Sequence, residues 1–253
     1  MPALLHRLMG NFSDRYLAAR DIQSSTVNST TGHIRSFVRR EGRITGAQRH
    51  AIEQHWEQFG IKFNHAKIDL GKIFHRPAPK VLDIGTGMGE ATITLATSHP
   101  GNDYLAAEVH RPGIGSLLRQ IAANRLTNVR ICNHDVIEIL QYQIPMNSLD
   151  MVYIFFPDPW PKKRHRKRRL ISQTLLNLLK PCLKSHARVY IATDWQDYAE
   201  HIMEVFAGDS EFINLAGPGR FAPRPHWRPL TKFETRGYKL EHPVRDFVFS
   251  CRK

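Results

Sequence analysis

The spacing of apolar and polar residues changes character near residue 80. From there on, short apolar runs alternate with longer segments in which apolar residues recur every three to four positions. The short runs predict β-strands and the longer periodic segments predict α-helices. The predicted strands are residues 80–85, 103–109, 128–136, 148–156, 187–194 and 244–251, and the predicted helices are residues 88–99, 112–126, 169–181 and 195–207.

The order of these elements indicates the fold class. Strands that alternate with helices of about 10–15 residues are typical of βαβ units, whose right-handed crossovers place helices on both faces of a parallel sheet. We therefore expect an α/β fold with a doubly wound, mostly parallel sheet. Pro181 is expected to stop the helix over residues 169–181, because proline lacks the N–H that the helix would need.

The pattern before residue 80 is different. Residues 1–33 are rich in Ser and Thr and have no apolar period, so we expect an arm without regular structure, followed by a single domain over residues 34–253. Thr45 is the expected N-cap of a helix that carries Ile52 and Trp56. Arginines crowd residues 35–43. These arginines form either a solvated charged face or a second basic surface close to the binding site of a ligand.

The charge balance indicates the class of partner. The chain has 36 Lys and Arg against 23 Asp and Glu, a formal net charge of +13. A balance this basic favours a polyanionic partner, most often a nucleic acid. The simplest alternative is a generically basic protein without such a partner.

Other features exclude some classes. No apolar run approaches 18 residues, so no membrane span is expected, and no secretory signal pattern begins the chain. The three cysteines, Cys132, Cys182 and Cys251, are scattered and show no CxxC spacing. We therefore expect a cytoplasmic protein with no disulfide framework and no metal site.

The first predicted strand ends in a glycine-rich turn, "DIGTGMGE". Gly85, Gly87 and Gly89 form a GxGxG pattern, and Glu90 stands where a nicotinamide-type fingerprint requires a further glycine. Glycine permits positive φ and close approach of a ligand to the backbone. By itself, this turn is weak evidence, and the alternative is a tight strand-to-helix connection that binds nothing.

Acids follow successive predicted strands. Asp83 precedes the glycine turn, Glu108 ends the second strand and Asp135 ends the third. The carboxyl ends of parallel strands share one edge of the sheet, where ligands of open α/β folds bind. Three carboxylates there suit a cationic ligand with ribose hydroxyls, namely S-adenosylmethionine, and would repel a pyrophosphate. Each acid alone could equally be a helix cap or a solvated loop residue.

The fourth predicted strand leads into "FFPDPWPKKRHRKRRLI". Asp158 lies between two prolines that stiffen the turn, and Trp160 offers a ring for stacking on a base. A basic run follows directly, and it predicts a phosphate-binding surface at the mouth of the pocket. Rival interpretations are a nuclear localisation signal, a solvated helix face, or a turn in which Asp158 only caps a helix. The run comprises Lys162, Lys163, Arg164, His165, Arg166, Lys167, Arg168 and Arg169.

Two further segments are expected at the same edge. Asp194 ends the fifth strand, and "RPLTKFETRG" forms a loop before the last strand. This loop contributes donors and acceptors that suit the edge of a base, although it could also be an ordinary polar loop. Its candidate residues are Thr231, Lys232, Phe233 and Glu234.

Taken together, these motifs resemble the bacterial tRNA (guanine-N7-)-methyltransferases, class I S-adenosylmethionine-dependent enzymes. The resemblance extends from about Arg35 to Phe249 and is most distinctive in "PDPWPKKRH" and "TKFE". It implies a Rossmann-like fold with an antiparallel C-terminal strand, and methylation of the guanine at tRNA position 46. One departure is Asp83, since the family usually has Glu there.

The resemblance also implies roles for individual residues. The cofactor would contact Asp83, Gly85, Gly87, Gly89, Glu108, Asp135 and Asp158, with Asp158 as the catalytic residue. The substrate would contact Lys162, Asp194, Thr231, Lys232, Phe233 and Glu234, and the tRNA would face Arg164, His165, Arg166, Lys167, Arg168 and Arg169. We expect a monomer, with a homodimer as the alternative. The alternative functions are methylation of another RNA or DNA site, or non-catalytic nucleic-acid binding on the same fold.

Overall fold

The computed structural model describes residues 34–37, 42–231, 234–235 and 243–253. The described residues from Arg35 onward belong to one compact unit. The predicted arm over residues 1–33 lies outside the described residues, as do Lys232 and Phe233.

An eight-stranded sheet forms the centre of this unit, with the strand order β1-β4-β3-β2-β5-β6-β8-β7. All neighbours from β1 to β6 pair in parallel, whereas β8 runs antiparallel to both β6 and β7. The strands are β1 (Gly60–Ile61), β2 (Lys80–Ile84), β3 (Asp103–Ala107), β4 (Val129–Cys132), β5 (Leu149–Phe155), β6 (Leu183–Thr193), β7 (Phe212–Asn214) and β8 (Arg245–Cys251).

Helices connect these strands and cover both faces of the sheet. They are α1 (Gly46–Phe59), α2 (Leu70–Phe74), α3 (Glu90–Ser98), α4 (Arg111–Ala123), the short α5 (Val136–Glu138), α6 (Gln173–Cys182) and α7 (Gln196–Ala207). A π-helical turn (Ile139–Gln143) continues α5, and a 3₁₀ helix (Lys163–Arg168) follows β5. The doubly wound, mostly parallel fold with an antiparallel C-terminal strand is thus confirmed.

The sheet separates two apolar layers because successive side chains of a strand point to opposite faces. On β2, Val81 packs in one layer and Leu82 in the other, and both are fully buried. Such buried β-branched and aliphatic side chains each contribute about 1.5–3 kcal/mol to folding.

The capping prediction at Thr45 is confirmed. Its hydroxyl accepts a hydrogen bond from the Gln48 N–H, and the Gln48 side chain accepts one from the Thr45 N–H. This reciprocal pair is a capping box, which satisfies two N–H groups at the start of α1. It fixes where the chain enters the helix that packs across α4.

Several boundaries differ from the prediction. The helix predicted over residues 169–181 begins only at Gln173, because Ser172 caps it through the Leu175 N–H. It also includes Pro181 in its last turn and ends at Cys182, so Pro181 does not stop it. The two-residue β1 and three-residue β7 were not predicted, since strands this short show no measurable period.

Within the described residues, no helix is both long enough and apolar enough to cross a membrane. The same part of the chain contains no group of three or more His, Cys, Asp or Glu side chains that could hold a metal ion.

Candidate active site

The candidate site lies at the carboxyl edge of the sheet, beside the β2–β5 boundary. From β2 the chain adds β3 and β4 on one side and then returns to place β5 on the other. The loops that leave β2 and β5 therefore diverge, and such a switch point leaves a crevice above the strand ends. Asp83 lies near the end of β2, and Asp158 lies in the turn that follows β5.

The glycine-rich turn after β2 leaves room for a ligand. Gly85, Gly87 and Gly89 all have positive φ, of 74°, 57° and 87°. An added Cβ would meet nothing within 4 Å at Gly85 or Gly87, so the space beside both is open. The hydroxyl oxygen of Thr86, between them, is buried and has no hydrogen-bond partner in the structure.

Asp83 is the most buried of the acids predicted to contact the cofactor, at 3% exposure. It accepts a hydrogen bond of 2.7 Å from the Thr92 hydroxyl in α3. Burial raises the pKa of Asp83 to about 6, with a smaller contribution from the Glu108 charge, and the Thr92 bond opposes the shift. A positive charge that enters the crevice would therefore stabilise the ionised form of Asp83.

Glu108 follows β3 and is anchored to the backbone on both sides of the crevice. Its Oε2 accepts from the Gly87 N–H at 2.6 Å, and its Oε1 accepts from the N–H groups of Val109 and His110. Burial raises its pKa, and the three backbone bonds oppose the shift. A carboxylate offers about four acceptor sites. In this structure Glu108 therefore has about one site left for a ligand, and not one for each of two hydroxyls.

Asp135 lies beyond the end of β4 and caps the next helix. Its Oδ1 accepts from the Ile137 N–H at 3.0 Å, and the residue is 7% exposed. The neighbouring Asn133 donates from its side-chain amide to the Glu108 carbonyl, which ties the β3 and β4 loops together. The helix-cap interpretation of Asp135 is therefore confirmed.

The turn after β5 is held in an unusual backbone conformation. Phe156 and Trp160 have φ of 54° and 44°, in a region that costs of order 1–3 kcal/mol for residues other than glycine. The Phe156 N–H donates to the Ala192 carbonyl on β6, and the Trp160 indole N–H donates to the Ser36 carbonyl. These bonds anchor the turn on either side of Asp158, whose side chain is exposed.

The basic run forms the 3₁₀ helix and its flanks. Most of its side chains are exposed, including Lys162, which precedes the helix. Desolvation, together with the surrounding cations, lowers the pKa of His165. The Arg168 guanidinium lies over the Trp160 ring, 5.4 Å from its centroid. The exposed or half-exposed members are Lys162, Lys163, Arg164, His165, Arg166, Lys167 and Arg168.

Arg169 does not share this exposure. Its side chain is 2% exposed and donates to the Pro159 carbonyl and to the Asp197 carboxylate of α7. Its guanidinium also lies over the Tyr198 ring, at 4.9 Å. The structure thus separates Arg169 from the tRNA-facing set in which the sequence had placed it.

The predicted substrate residues fall into two groups. Asp194 directly follows β6 and is half-buried, and its carboxylate forms no hydrogen bond or ion pair with the described residues. Glu234, in contrast, is fully buried and pairs with Arg228 and Arg224. Thr231 accepts from the Glu234 N–H at 3.1 Å.

Arg228 is the main residue that the sequence reasoning missed. It is 1% exposed and bonds both Glu234 and Asp246, with nitrogen-to-oxygen distances of 2.7–3.1 Å. Its guanidinium also lies 5.9 and 5.7 Å from the rings of Phe155 and Phe156. The network joins the loop after β7 to β8 and to the turn after β5. The sequence offered little sign of this network, because Arg228 lies six residues before Glu234 and 18 residues before Asp246.

The arrangement has a clear chemical character. Carboxylates lie at or just beyond the carboxyl ends of four neighbouring parallel strands, and the turn after β5 leads into an exposed basic helix. Such a crevice favours a cationic ligand with hydroxyl groups, and the surface beside it favours a polyanion.

Comparisons with known proteins agree with this geometry. Residues 77–247 match the protein family described as "Putative methyltransferase". The chain is 52% identical over 216 residues to a tRNA (guanine-N(7)-)-methyltransferase of Nitrosospira multiformis, an alignment that covers 85% of this chain and 93% of the relative. Proteins of the same name from Hydrogenovibrio crunogenus and Yersinia pestis are 46% and 48% identical, over 85% and 87% of this chain and 90% and 92% of the relatives.

Solved structures are similar in fold. The 16S rRNA methyltransferase KamB superposes with a TM-score of 0.55 at 13% identity, over 76% of this chain and 96% of its own. A mutant of the 16S rRNA (adenine(1408)-N(1))-methyltransferase of Catenulisporales acidiphilia, solved with the cosubstrate SAM, gives 0.51 at 14% identity, over 74% and 93%. At these identities the similarity concerns the fold alone.

Proposed function

Because this chain belongs to the family of tRNA (guanine-N(7)-)-methyltransferases, we propose that it transfers a methyl group from S-adenosylmethionine to N7 of the guanine at position 46 in the tRNA variable loop. One observation carries this function: acids at successive strand ends surround an open glycine turn and adjoin the basic 3₁₀ helix. The acids favour a cationic cofactor, and the basic helix favours a polyanionic substrate.

The residues present fit S-adenosylmethionine. The space beside Gly85 and Gly87 is open, and the buried Thr86 hydroxyl between them has no hydrogen-bond partner in the part of the chain that the structure describes. A buried hydroxyl without a partner is uncommon in folded proteins, and a bound ligand would satisfy it. Cofactor contacts are assigned to Asp83, Gly85, Gly87, Gly89, Glu108, Asp135 and Asp158.

Glu108 and Asp83 would act in different ways on the cofactor. Glu108 is fixed by three backbone bonds and has an acceptor site left for a ribose hydroxyl. Asp83 is buried with a raised pKa, so its charged form becomes more favourable when positive charge enters the crevice. Both acids therefore favour a cation over an anion in this pocket.

The chemistry requires alignment more than acid–base catalysis. When bound, S-adenosylmethionine supplies an electrophilic methyl group on a sulfonium centre. Guanine N7 carries an in-plane lone pair, so the protein does not need a strong general base. Asp158, held in a stiff and anchored turn, would orient the reacting groups and stabilise the positive charge that moves to the purine.

Guanine recognition is assigned first to Asp194. Its carboxylate has no protein donor among the described residues, so it can accept from guanine N1–H and the exocyclic amine. Adenine lacks both of these donors, because its N1 is an acceptor and its amine is on C6. Glu234 is held by Arg228 and Arg224, so we give it the role of shaping the loop that includes Thr231. Lys162 lies between the two parts of the site and would contact the substrate.

The exposed part of the basic run would bind the tRNA backbone. Phosphate contacts position a polyanion without reading its sequence, and this matches a surface of Lys and Arg beside the pocket. We also propose that the protein acts as a monomer in the cytoplasm. Its three described cysteines are all free and buried, as suits a reducing compartment.

The decisive experiment uses labelled S-adenosylmethionine and two unmodified transcripts of one tRNA, one with guanine and one with adenine at position 46. The proposal predicts one methyl group per guanine transcript, mapped to N7 of residue 46, and none on the adenine transcript. Label at another nucleotide would support the alternative of a different RNA site. No label in any tRNA would overturn the proposed function.

A further inference from the structure

Arg169 is chemically part of the basic run but structurally part of the protein interior. Its side chain is 2% exposed, whereas that of Arg166, one turn earlier, is 48% exposed. Burial of an arginine is costly unless its charge is paired and its N–H groups are bonded. The structure meets both conditions. The partners of Arg169 lie on α7 and in the turn over residues 156–160, called the catalytic turn because it includes Asp158.

The first partner is the backbone of the catalytic turn. Arg169 Nε donates to the Pro159 carbonyl at 3.0 Å, one residue after Asp158. Pro157 and Pro159 have no N–H, so this turn offers few groups through which it can be anchored. A carbonyl bonded by a charged donor is a strong anchor, since such bonds are about twice as strong as neutral ones.

The second partner is Asp197, in the first turn of α7. Arg169 donates to both its carboxylate and its carbonyl, and Arg166 bonds the other carboxylate oxygen at 2.8 Å. The bond from Arg169, opposed by a smaller effect of burial, lowers the pKa of Asp197. The carboxylate is therefore ionised at neutral pH and bridges an exposed arginine to a buried one.

A third contact is made by the aromatic ring of Tyr198, over which the Arg169 guanidinium lies. The Tyr198 ring lies 4.9 Å from it, and the Tyr198 hydroxyl accepts from the Ile171 N–H at 3.1 Å. The chain on both sides of Arg169 is therefore tied to α7, and α7 itself packs in the core through Tyr198, Ala199 and Ile202.

We infer that Arg169 and Asp197 are positioning residues for Asp158 and not tRNA contacts. Together they hold the Pro159 carbonyl, and with it the turn, at a fixed place relative to α7. Arg166, through the same carboxylate, connects this anchor to the surface that binds tRNA. The inference rests on the proposed function only for its kinetic test.

Two conservative variants separate positioning from binding. Arg169→Lys keeps the positive charge but loses the geometry of the guanidinium, and Asp197→Asn keeps the shape but loses the charge. Lys167→Ala is the matched control, because Lys167 is exposed on the same 3₁₀ helix and forms no described ion pair. Thermal unfolding of each variant tests whether the fold is retained. If Arg169→Lys fails to fold, Asp197→Asn alone carries the test.

We expect both variants to reduce the single-turnover rate of methyl transfer at saturating tRNA and cofactor by about 10- to 100-fold, because small misplacements of reacting groups are that costly. Their Kd for tRNA should stay within about twofold of the wild type. Lys167→Ala should instead weaken tRNA binding, because Lys167 belongs to the exposed basic surface. Wild-type rates combined with weaker tRNA binding in Arg169→Lys and Asp197→Asn would overturn the inference.

Amide hydrogen exchange tests the same inference without activity. In Arg169→Lys and Asp197→Asn, a peptide that spans residues 156–160 should exchange faster than in the wild type, and in Lys167→Ala it should not. Unchanged exchange of this peptide in both variants would contradict the positioning role. This readout stays informative even if the wild type methylates no tRNA, in which case only the proposed function fails.

Discussion

A methyl group added at Gly113 would lie 2.2 Å from the carbonyl oxygen of Gly87. The first turn of α4 thus packs directly on the glycine turn of the candidate cofactor site, and no side chain fits between them. The same contact places the Gly87 N–H against Glu108. The position of the turn is therefore set by α4, a helix that contributes no acid to the crevice.

This contact makes Gly113→Ala a test of the cofactor site. Alanine favours helices over glycine by about 1 kcal/mol, so the substitution would be harmless in an open helix. Here the turn must move, and we expect the Kd for S-adenosylmethionine, measured by calorimetry, to rise about tenfold or more. Gly101→Ala is the control, because an added Cβ there meets nothing within 4 Å. Equal affinities in the two variants would show that the contact does not position the turn.

Asp158 is expected to dominate the chemical step. Asp158→Asn keeps the shape of the side chain but loses its charge, and we expect the single-turnover rate to fall about 100-fold or more. Binding of tRNA should change little, because the basic surface is intact. Glu204→Gln, an exposed acid on α7, controls for the loss of one negative charge. A near wild-type single-turnover rate in Asp158→Asn would remove Asp158 from the mechanism.

Asp83 gives a prediction with a definite pH dependence. Its pKa is about 6 in the folded protein against an ordinary value of 3.8. The folded state therefore binds the proton more tightly than the unfolded state, and stability falls as pH rises from about 4 to 6. Above that range the ionised group costs about 3 kcal/mol.

Asp83→Asn should therefore raise the free energy of unfolding at pH 7.5 by up to about 3 kcal/mol, an advantage that disappears below about pH 4. Its affinity for S-adenosylmethionine should fall. Urea denaturation at several pH values measures the first effect and calorimetry the second, with Glu57→Gln as an exposed control. A stability difference that is independent of pH would contradict this account of Asp83.

The exposed basic residues should set the salt dependence of tRNA binding. Neutralising Arg164 and Lys167 together should weaken binding and reduce the slope of log K against log salt by about 1.4–1.8, because each phosphate contact contributes about 0.7–0.9. Arg252→Ala, at the opposite edge of the sheet after β8, is the control. If the slope is unchanged in the double variant, this surface does not bind the tRNA backbone.

Arg228 should matter mainly for stability. Arg228→Met removes the cation between Glu234 and Asp246 and leaves both acids buried, so we expect a loss of about 3–5 kcal/mol in the free energy of unfolding. Arg224→Ala removes a guanidinium that is 34% exposed and should cost about 1 kcal/mol or less. Chemical denaturation compares the two. Equal losses would mean that Arg228 is not the centre of the network.

The sequence by itself determined the order of the elements and the acids of the crevice. Both are local properties: a strand or helix shows its period over a few residues, and Asp83, Glu108 and Asp194 lie within two residues of a strand end. Since the ends of parallel strands share one edge, the fold class was enough to bring these acids to one crevice.

Only the tertiary structure decided what each charge does. Arg169 and Lys167 belong to the same basic run, but α7 buries one and leaves the other exposed. Glu234 was predicted to read a base, and it is held instead by Arg228, which also binds Asp246, 18 residues along the chain. Burial and pairing depend on which distant segments pack together, and no local pattern records that. The same reason hid the contact between Gly87 and Gly113 until helix and turn were placed side by side.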